Sequence, residues 1–134
     1  MPDTLYFDHN ASTPVRPEAV DAMRACLEDL HGNASSLHRE GQRARAAVER
    51  AREQVAALVR ARPDEVVFVS GGTEGDHLAL VGGAWALRER GRRVAVCVVE
   101  HHAVHGAAEV LAEQGFATDH LPVDANGMLD ISSL

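Results

Sequence analysis

Lysine is absent: all 13 basic residues of the 134-residue chain are arginine. A guanidinium stays protonated and offers no usable amine, so these residues cannot form an imine through a lysine side chain. Aromatic residues are few, three Phe, one Tyr and one Trp, and a core has to be built from Val, Leu and Ala. No apolar run approaches the ~18 residues of a membrane span. The opening MPDTLYFDHN lacks the basic and apolar regions of a signal peptide. These features predict a cytoplasmic chain with no membrane partner. Cysteine is sparse as well: Cys26 and Cys97 stand far apart, without metal or redox spacing, and suggest no disulfide framework. The formal charge of −7 argues against a general nucleic-acid binder. It does not exclude a local anion site, since a few backbone N–H groups can hold a phosphate whatever the net charge.

What is present has the periodicities of an α/β protein. Arg16-Pro17 opens a helix whose apolar positions are Val20, Met23, Leu27 and Leu30, and His31-Gly32-Asn33 stops it. A second helix is predicted from Arg39 to Arg60. Its apolar face is Ala44, Val48, Ala51, Val55 and Leu58, and Arg45, Glu49, Arg52 and Glu53 are placed for i,i+4 pairing. After Pro63 the pattern changes. Glu65–Val69 reads as a buried strand ended by Ser70-Gly71-Gly72. A helix follows from Thr73 to Arg90, a strand from Val94 to Val99, a helix from Ala103 to Gln114, and a strand from Ala117 to Val123. The turn Asp124-Ala125-Asn126-Gly127 comes next. Strand, helix, strand, helix, strand predicts a parallel α/β sheet. The expected organisation is a helical segment over 1–62 and an incomplete βαβαβ unit over 63–134, with a further element starting at Ile131–Leu134.

Two motifs fall at carboxyl ends of predicted strands, where open α/β sheets bind ligands. In the first, Ser70 to Asp76, Gly71 and Gly72 let backbone approach a ligand, and the helix start offers free N–H groups and a positive dipole end. That makes a phosphate seat with the Thr73 hydroxyl as an added donor. The same residues also read as a plain capping box from Thr73 to Asp76, and Glu74 and Asp76 would repel an anion unless turned away. The second motif is Glu100-His101-His102-Ala103-Val104-His105. An imidazole at a helix start is pushed toward its neutral form and can stack on a flat ring or relay protons. His101 and His105 also have a usable metal spacing, and a polar cap is the simplest reading. Ser36, in the loop Gly32–His38, is a candidate cap for the second helix. Cys97 reads as a small buried hydrophobe.

Taken in order, Tyr6–Pro14 (YFDHNASTP), Gly32–His38 (GNASSLH), Ser70–Asp76 (SGGTEGD) and Glu100–Val104 (EHHAV) resemble the cysteine desulfurases. These are fold-type-I pyridoxal-phosphate (PLP) enzymes of the class V aminotransferase group, and selenocysteine lyase is a close relative. The resemblance covers nearly all of the chain. It implies the N-terminal part of a fold-type-I large domain preceded by a helical segment that contributes to the small domain and dimer contacts. Gly72 and Thr73 fall where the family binds the PLP phosphate, and His101 falls where its imidazole stacks on the cofactor ring and shuttles protons. In that family PLP is the electron sink, and an enzyme cysteine takes sulfur from substrate cysteine, leaving alanine and a persulfide for iron–sulfur or thio-cofactor supply. Ala34 stands where Pro is usual and His77 where Asn is usual, which puts substrate identity in doubt.

The Schiff-base lysine, the Asp that pairs with the pyridine nitrogen and the mobile cysteine lie further along the family's chain and have no counterpart here. The expectation is therefore a chain inactive alone. It would work with a complementary chain in a homodimeric or heterotetrameric assembly, and a sulfur acceptor or scaffold protein is a further partner. The alternatives are a catalytically dead remnant serving as a binding module, a selenocysteine lyase-like enzyme, and a histidine-bound metal. No metal site is expected.

Overall fold

The computed structural model describes residues 5–129. The chain divides into two compact units, Met1–Val67 and Phe68–Leu134.

The first unit is built on two helices. Helix α1 (Pro17–Asp29) begins with Pro at a position where its missing N–H costs nothing, and Leu30 N–H returns to Cys26 O at 2.9 Å to close it. Helix α2 (Arg39–Val59) ends at Arg60 in the left-handed region (φ 57°), and the Arg60 and Ala61 N–H groups bond back onto its last turn. The expected helices therefore form, but their caps differ from expectation. His38, not Ser36, caps α2: its Nδ1 accepts the Gly41 N–H at 3.3 Å. Ser36 instead donates its backbone N–H to Asn33 O at 2.9 Å. The ion pairs on α2 are Glu40–Arg43 and Glu49–Arg52, three residues apart rather than four. Arg52 also donates to Val66 O, tying the end of the unit to the helix. Of the expected apolar face of α2, Ala44 is buried whereas Val48, Val55 and Leu58 are exposed; Ala56, outside that face, is buried as well.

The loop between these helices is held by two glycines. A Cβ on Gly32 would lie 2.3 Å from Glu40 O, and one on Gly41 would lie 2.4 Å from Ser36 O. Only hydrogen fits at either place, so residues 32–38 lie directly on the first turn of α2.

The expected strand over Glu65–Val69 is not part of a sheet. Pro63–Glu65 is a 3₁₀ turn closed by Glu65 carboxylate to Arg62 N–H at 2.7 Å. Val66 is extended (φ −98°, ψ 124°). Residues 66–69 have no ladder partner among the described residues. Val67, Phe68 and Val69 are 64%, 47% and 38% exposed. The apolar run has a strand's composition; a strand also needs a neighbour.

In the second unit α3 (Gly72–His77) runs through a π-helical segment (Leu78–Gly82) into α4 (Gly83–Ala86). The single helix expected over Thr73–Arg90 is thus interrupted and ends four residues early. Strand β1 (Arg93–Cys97) and strand β2 (Ala117–Leu121) pair in parallel, with Arg93 opposite Ala117 and Cys97 opposite Leu121. Helix α5 (His102–Glu113) is the crossover between them. Both strands are shorter than expected but keep the predicted order. Ala103, Ala107, Ala108 and Leu111 of α5, with Val96 and Phe116, form the buried core. These are mostly small side chains, in keeping with the scarcity of aromatics. Gly115 (φ 84°) turns the chain from α5 into β2. The expected turn at 124–127 forms around Asp124, whose carboxylate accepts from Asn126 and Met128 N–H at 2.8 and 2.9 Å.

Candidate active site

The glycine motif makes a helix start with open space above it. The first bond of the helix is Gly75 N–H to Gly71 O at 3.1 Å, so the N–H groups of Gly72, Thr73 and Glu74 precede the ladder. A Cβ on Gly71 or Gly72 would meet nothing within 4 Å. The glycines are therefore not required by packing inside this chain, and the space above them is free for a ligand. The Thr73–Asp76 capping box does not form, since the helix start has no side-chain cap bond. Glu74 instead folds back, and its carboxylate accepts from Ser70 N–H at 2.6 Å and from Ser70 Oγ at 2.5 Å. The hydroxyl bond and then the backbone bond hold its carboxyl below the usual glutamate range. The sequence raised charge repulsion as an objection to an anion here. One of the two carboxylates is thus already tied to Ser70.

His101 is the cap of α5. Its backbone is extended (φ −61°, ψ 146°) and its Nδ1 accepts the Ala103 N–H at 3.2 Å. Accepting at Nδ1 assigns the neutral ring's proton to Nε2 and fixes the ring's direction. The ring is exposed, and His102 lies beside it with centroids 3.8 Å apart and planes tilted by 40°. His101 and His105, whose spacing also allowed a metal reading, make different contacts. His105 stacks on His120 of β2, with centroids 5.6 Å apart and planes at 20°. Among the described residues no group of three or more His, Cys, Asp or Glu side chains could hold a metal ion. The polar-cap reading and the ring-orienting reading are therefore compatible at His101: the cap bond sets the ring.

Helix α3, which begins at Gly72, packs against α5, which His101 caps. The second unit thus joins the two motifs that lie some 28 residues apart in sequence. The other two motifs lie in the first unit. Tyr6 Oη donates to Asp8 O at 2.8 Å and lies 3.0 Å from Ser12 Oγ, and its ring meets His9 edge-on at 4.9 Å. Tyr6 as the organiser of this loop was missed by sequence reading; its spacing to Ser12 was the available signal. Cys26 is exposed on α1, and Cys97 is half-buried in β1.

A helix start with three N–H groups ahead of its ladder, a threonine hydroxyl, and an oriented imidazole on the adjoining helix suit a phosphorylated planar cofactor. Residues 5–134 match the aminotransferase class-V family. The chain belongs to that family, which is one of PLP enzymes. It is 41% identical over 134 residues to the "Cysteine desulfurase IscS" of Dictyoglomus turgidum, covering 100% of this chain and 34% of that protein. It is 44% identical over 133 residues to the "IscS-like cysteine desulfurase" of Mycobacterium tuberculosis, covering 96% and 34%. Its structure is similar to that of a "NIFS-LIKE PROTEIN" with a TM-score of 0.88 and 32% identity, covering 96% of this chain and 35% of that one. "SspA in complex with cysteine" is similar at a TM-score of 0.79 and 33% identity over 87% of this chain. The chain spans about a third of the length of these relatives. The fold is accordingly that of the N-terminal part of a NifS-like, fold-type-I domain.

Proposed function

We propose that the chain is the N-terminal part of a PLP-dependent cysteine desulfurase that removes sulfur from L-cysteine and leaves alanine. The observation that carries this reading is the pairing of the open Gly72–Thr73 helix start with the capped imidazole of His101, on helices that pack together. The N–H groups of Gly72 and Thr73 and the Thr73 hydroxyl would hold the cofactor's phosphate, and the helix dipole favours the anion there. Glu74 is bonded to Ser70 rather than to those donors. His101 would lie against the cofactor ring and move protons at Nε2 while Nδ1 stays on the Ala103 N–H. PLP, when bound, supplies the electron sink for cleavage of the carbon–sulfur bond. An enzyme thiolate attacks the substrate sulfur; the sulfur–carbon bond breaks, its electron pair stays with carbon and is protonated, and the sulfur remains as an enzyme persulfide.

With no lysine among the 134 residues, the Schiff-base lysine is assigned to the part of the enzyme outside these residues, and so is the nucleophilic cysteine. The active form is then a homodimeric or heterotetrameric assembly in the cytoplasm, delivering sulfur to an acceptor or scaffold protein. No helix of the described residues is long and apolar enough to cross a membrane. The helical residues 1–62 are assigned to the small domain and dimer contacts, and 63–134 to the PLP-binding domain.

The test is to incubate the complete assembly with L-cysteine and measure alanine and protein-bound persulfide, with PLP content read by absorbance. Equal alanine and persulfide from a yellow protein is the expected result. A colourless assembly that releases no alanine overturns the reading.

A further inference from the structure

The four arginines at 88, 90, 92 and 93 are the only Lys or Arg residues after Arg62. The second unit concentrates all its fixed positive charge in six residues, while the whole chain carries −7. Structure gathers two of the four around one aromatic pair. The guanidinium of Arg88 lies 5.7 Å from the Trp85 ring centre and that of Arg92 5.9 Å from it. Arg92 also lies 5.5 Å from the centre of the Phe116 ring. Trp85 and Phe116 meet edge-on at 5.7 Å, and Gln114 accepts the Trp85 indole N–H. Cation–π contact at these distances fixes the guanidinium planes without neutralising them. Arg88 is paired with exposed Glu89, and Arg93 with Asp119 across the strands. Among the described residues Arg90 and Arg92 have no carboxylate within salt-bridge reach. The cluster keeps an excess of positive charge.

Beside the cluster is a cavity of about 250 Å³ with Arg93 at its rim and an apolar wall that includes Leu80, Leu87, Val94 and Phe116. Metabolite pockets run from ~300 to 1,000 Å³, so this one suits a single side chain rather than a small-molecule ligand. Gly83 is part of its wall, and a Cβ there would meet nothing within 4 Å. Arg and Trp beside a side-chain-sized apolar recess is the composition of a protein-docking centre. A duplex or a lipid surface presents extended negative charge to all of these 134 residues, which their −7 balance repels. A short acidic segment meets only the local excess.

We propose that Trp85, Arg88, Arg90, Arg92 and the cavity beside them form a docking surface for an acidic segment of a partner protein, one large apolar side chain of that segment entering the cavity. The site does not depend on the cofactor or on His101.

The experiment uses the complete assembly and fluorescently labelled synthetic peptides: glutamates around one central leucine, glutamates alone, and lysines around the same leucine. The glutamate–leucine peptide is expected to bind with a Kd on the order of 10–100 μM, as small interfaces do. The lysine peptide should not bind. Arg90→Glu with Arg92→Glu should weaken the glutamate–leucine peptide about tenfold or more. Gly83→Leu fills the cavity from a position with open space, so folding is kept. It should reduce the leucine peptide's affinity to that of glutamate alone. No binding, or binding that neither variant changes, overturns the proposal. A short single-stranded oligonucleotide or phosphatidylserine vesicles binding more tightly than the glutamate–leucine peptide overturns it as well.

Discussion

Gly41→Ala should destabilise the protein even though it replaces glycine by alanine inside a helix. On propensity alone the change is worth about 1 kcal/mol in favour of alanine. The new Cβ, however, would lie 2.4 Å from Ser36 O, 2.7 Å from Asn33 O and 2.7 Å from Ser36 Cβ. Two of the three are backbone oxygens that cannot swing aside like a side-chain end. The loop 32–38 must lift, which puts at risk the Asn33 Oδ1–Ser35 N–H bond of 2.8 Å and the His38 cap on Gly41. A lost cap and a lost hydrogen bond each cost about 1 kcal/mol, and overpacking of this kind costs about 1–3. Set against the propensity gain, these costs leave a net loss of about 2–4 kcal/mol, read as a fall in Tm. Gly83→Ala is the matched control. Its backbone is helical (φ −63°, ψ −46°) and its Cβ would meet nothing within 4 Å. It should stabilise by about 0.5–1 kcal/mol. Thermal melts of the two variants in the complete assembly should therefore move in opposite directions. A rise in Tm for Gly41→Ala equal to that for Gly83→Ala would refute the packing of the loop onto α2.

Three further outcomes are expected. Because hydrogen bonds from Ser70 lower the Glu74 carboxyl, its contribution to stability is present above the ordinary glutamate range and is lost as pH falls through its lowered value. Glu74→Gln should flatten the dependence of Tm on pH below about 4.5, and an unchanged slope would show that the Ser70 contact is not formed in solution. His101→Ala in the complete assembly should leave PLP bound while kcat falls by about 10²–10⁴, and His102→Ala should cost far less; the reverse order, read from steady-state rates and PLP absorbance, would move the ring-facing residue by one. The chain expressed alone should sediment as aggregates with weak near-UV circular dichroism, because Leu27, Leu58, Val67 and Phe68 are exposed; a compact monomer with a cooperative melt would contradict this.

Local order in this protein is written in its local sequence. The apolar spacing of α1 and α2, Pro17 at a helix start, Gly115 and the Asp124–Gly127 turn each act over a few residues, and each lies where periodicity and turn chemistry place it. The glycine and histidine motifs were legible for the same reason: a helix start announces itself in the residues around it. Three features depended on residues distant in sequence. Glu65–Val69 has the composition of a strand, but a strand exists only where another strand pairs with it, and among the described residues the sheet consists of β1 and β2. His38 replaced Ser36 as the cap because Gly32 and Gly41 allow the loop to settle on α2, which brings the imidazole, not the hydroxyl, to the Gly41 N–H. The parallel register placed Arg93 beside Asp119, and the packing of α5 against β2 placed His105 beside His120, pairs separated by a whole crossover. Sequence determined which residues could cap, turn or extend; tertiary structure decided which of them met, because contact energy depends on distances that no local pattern encodes.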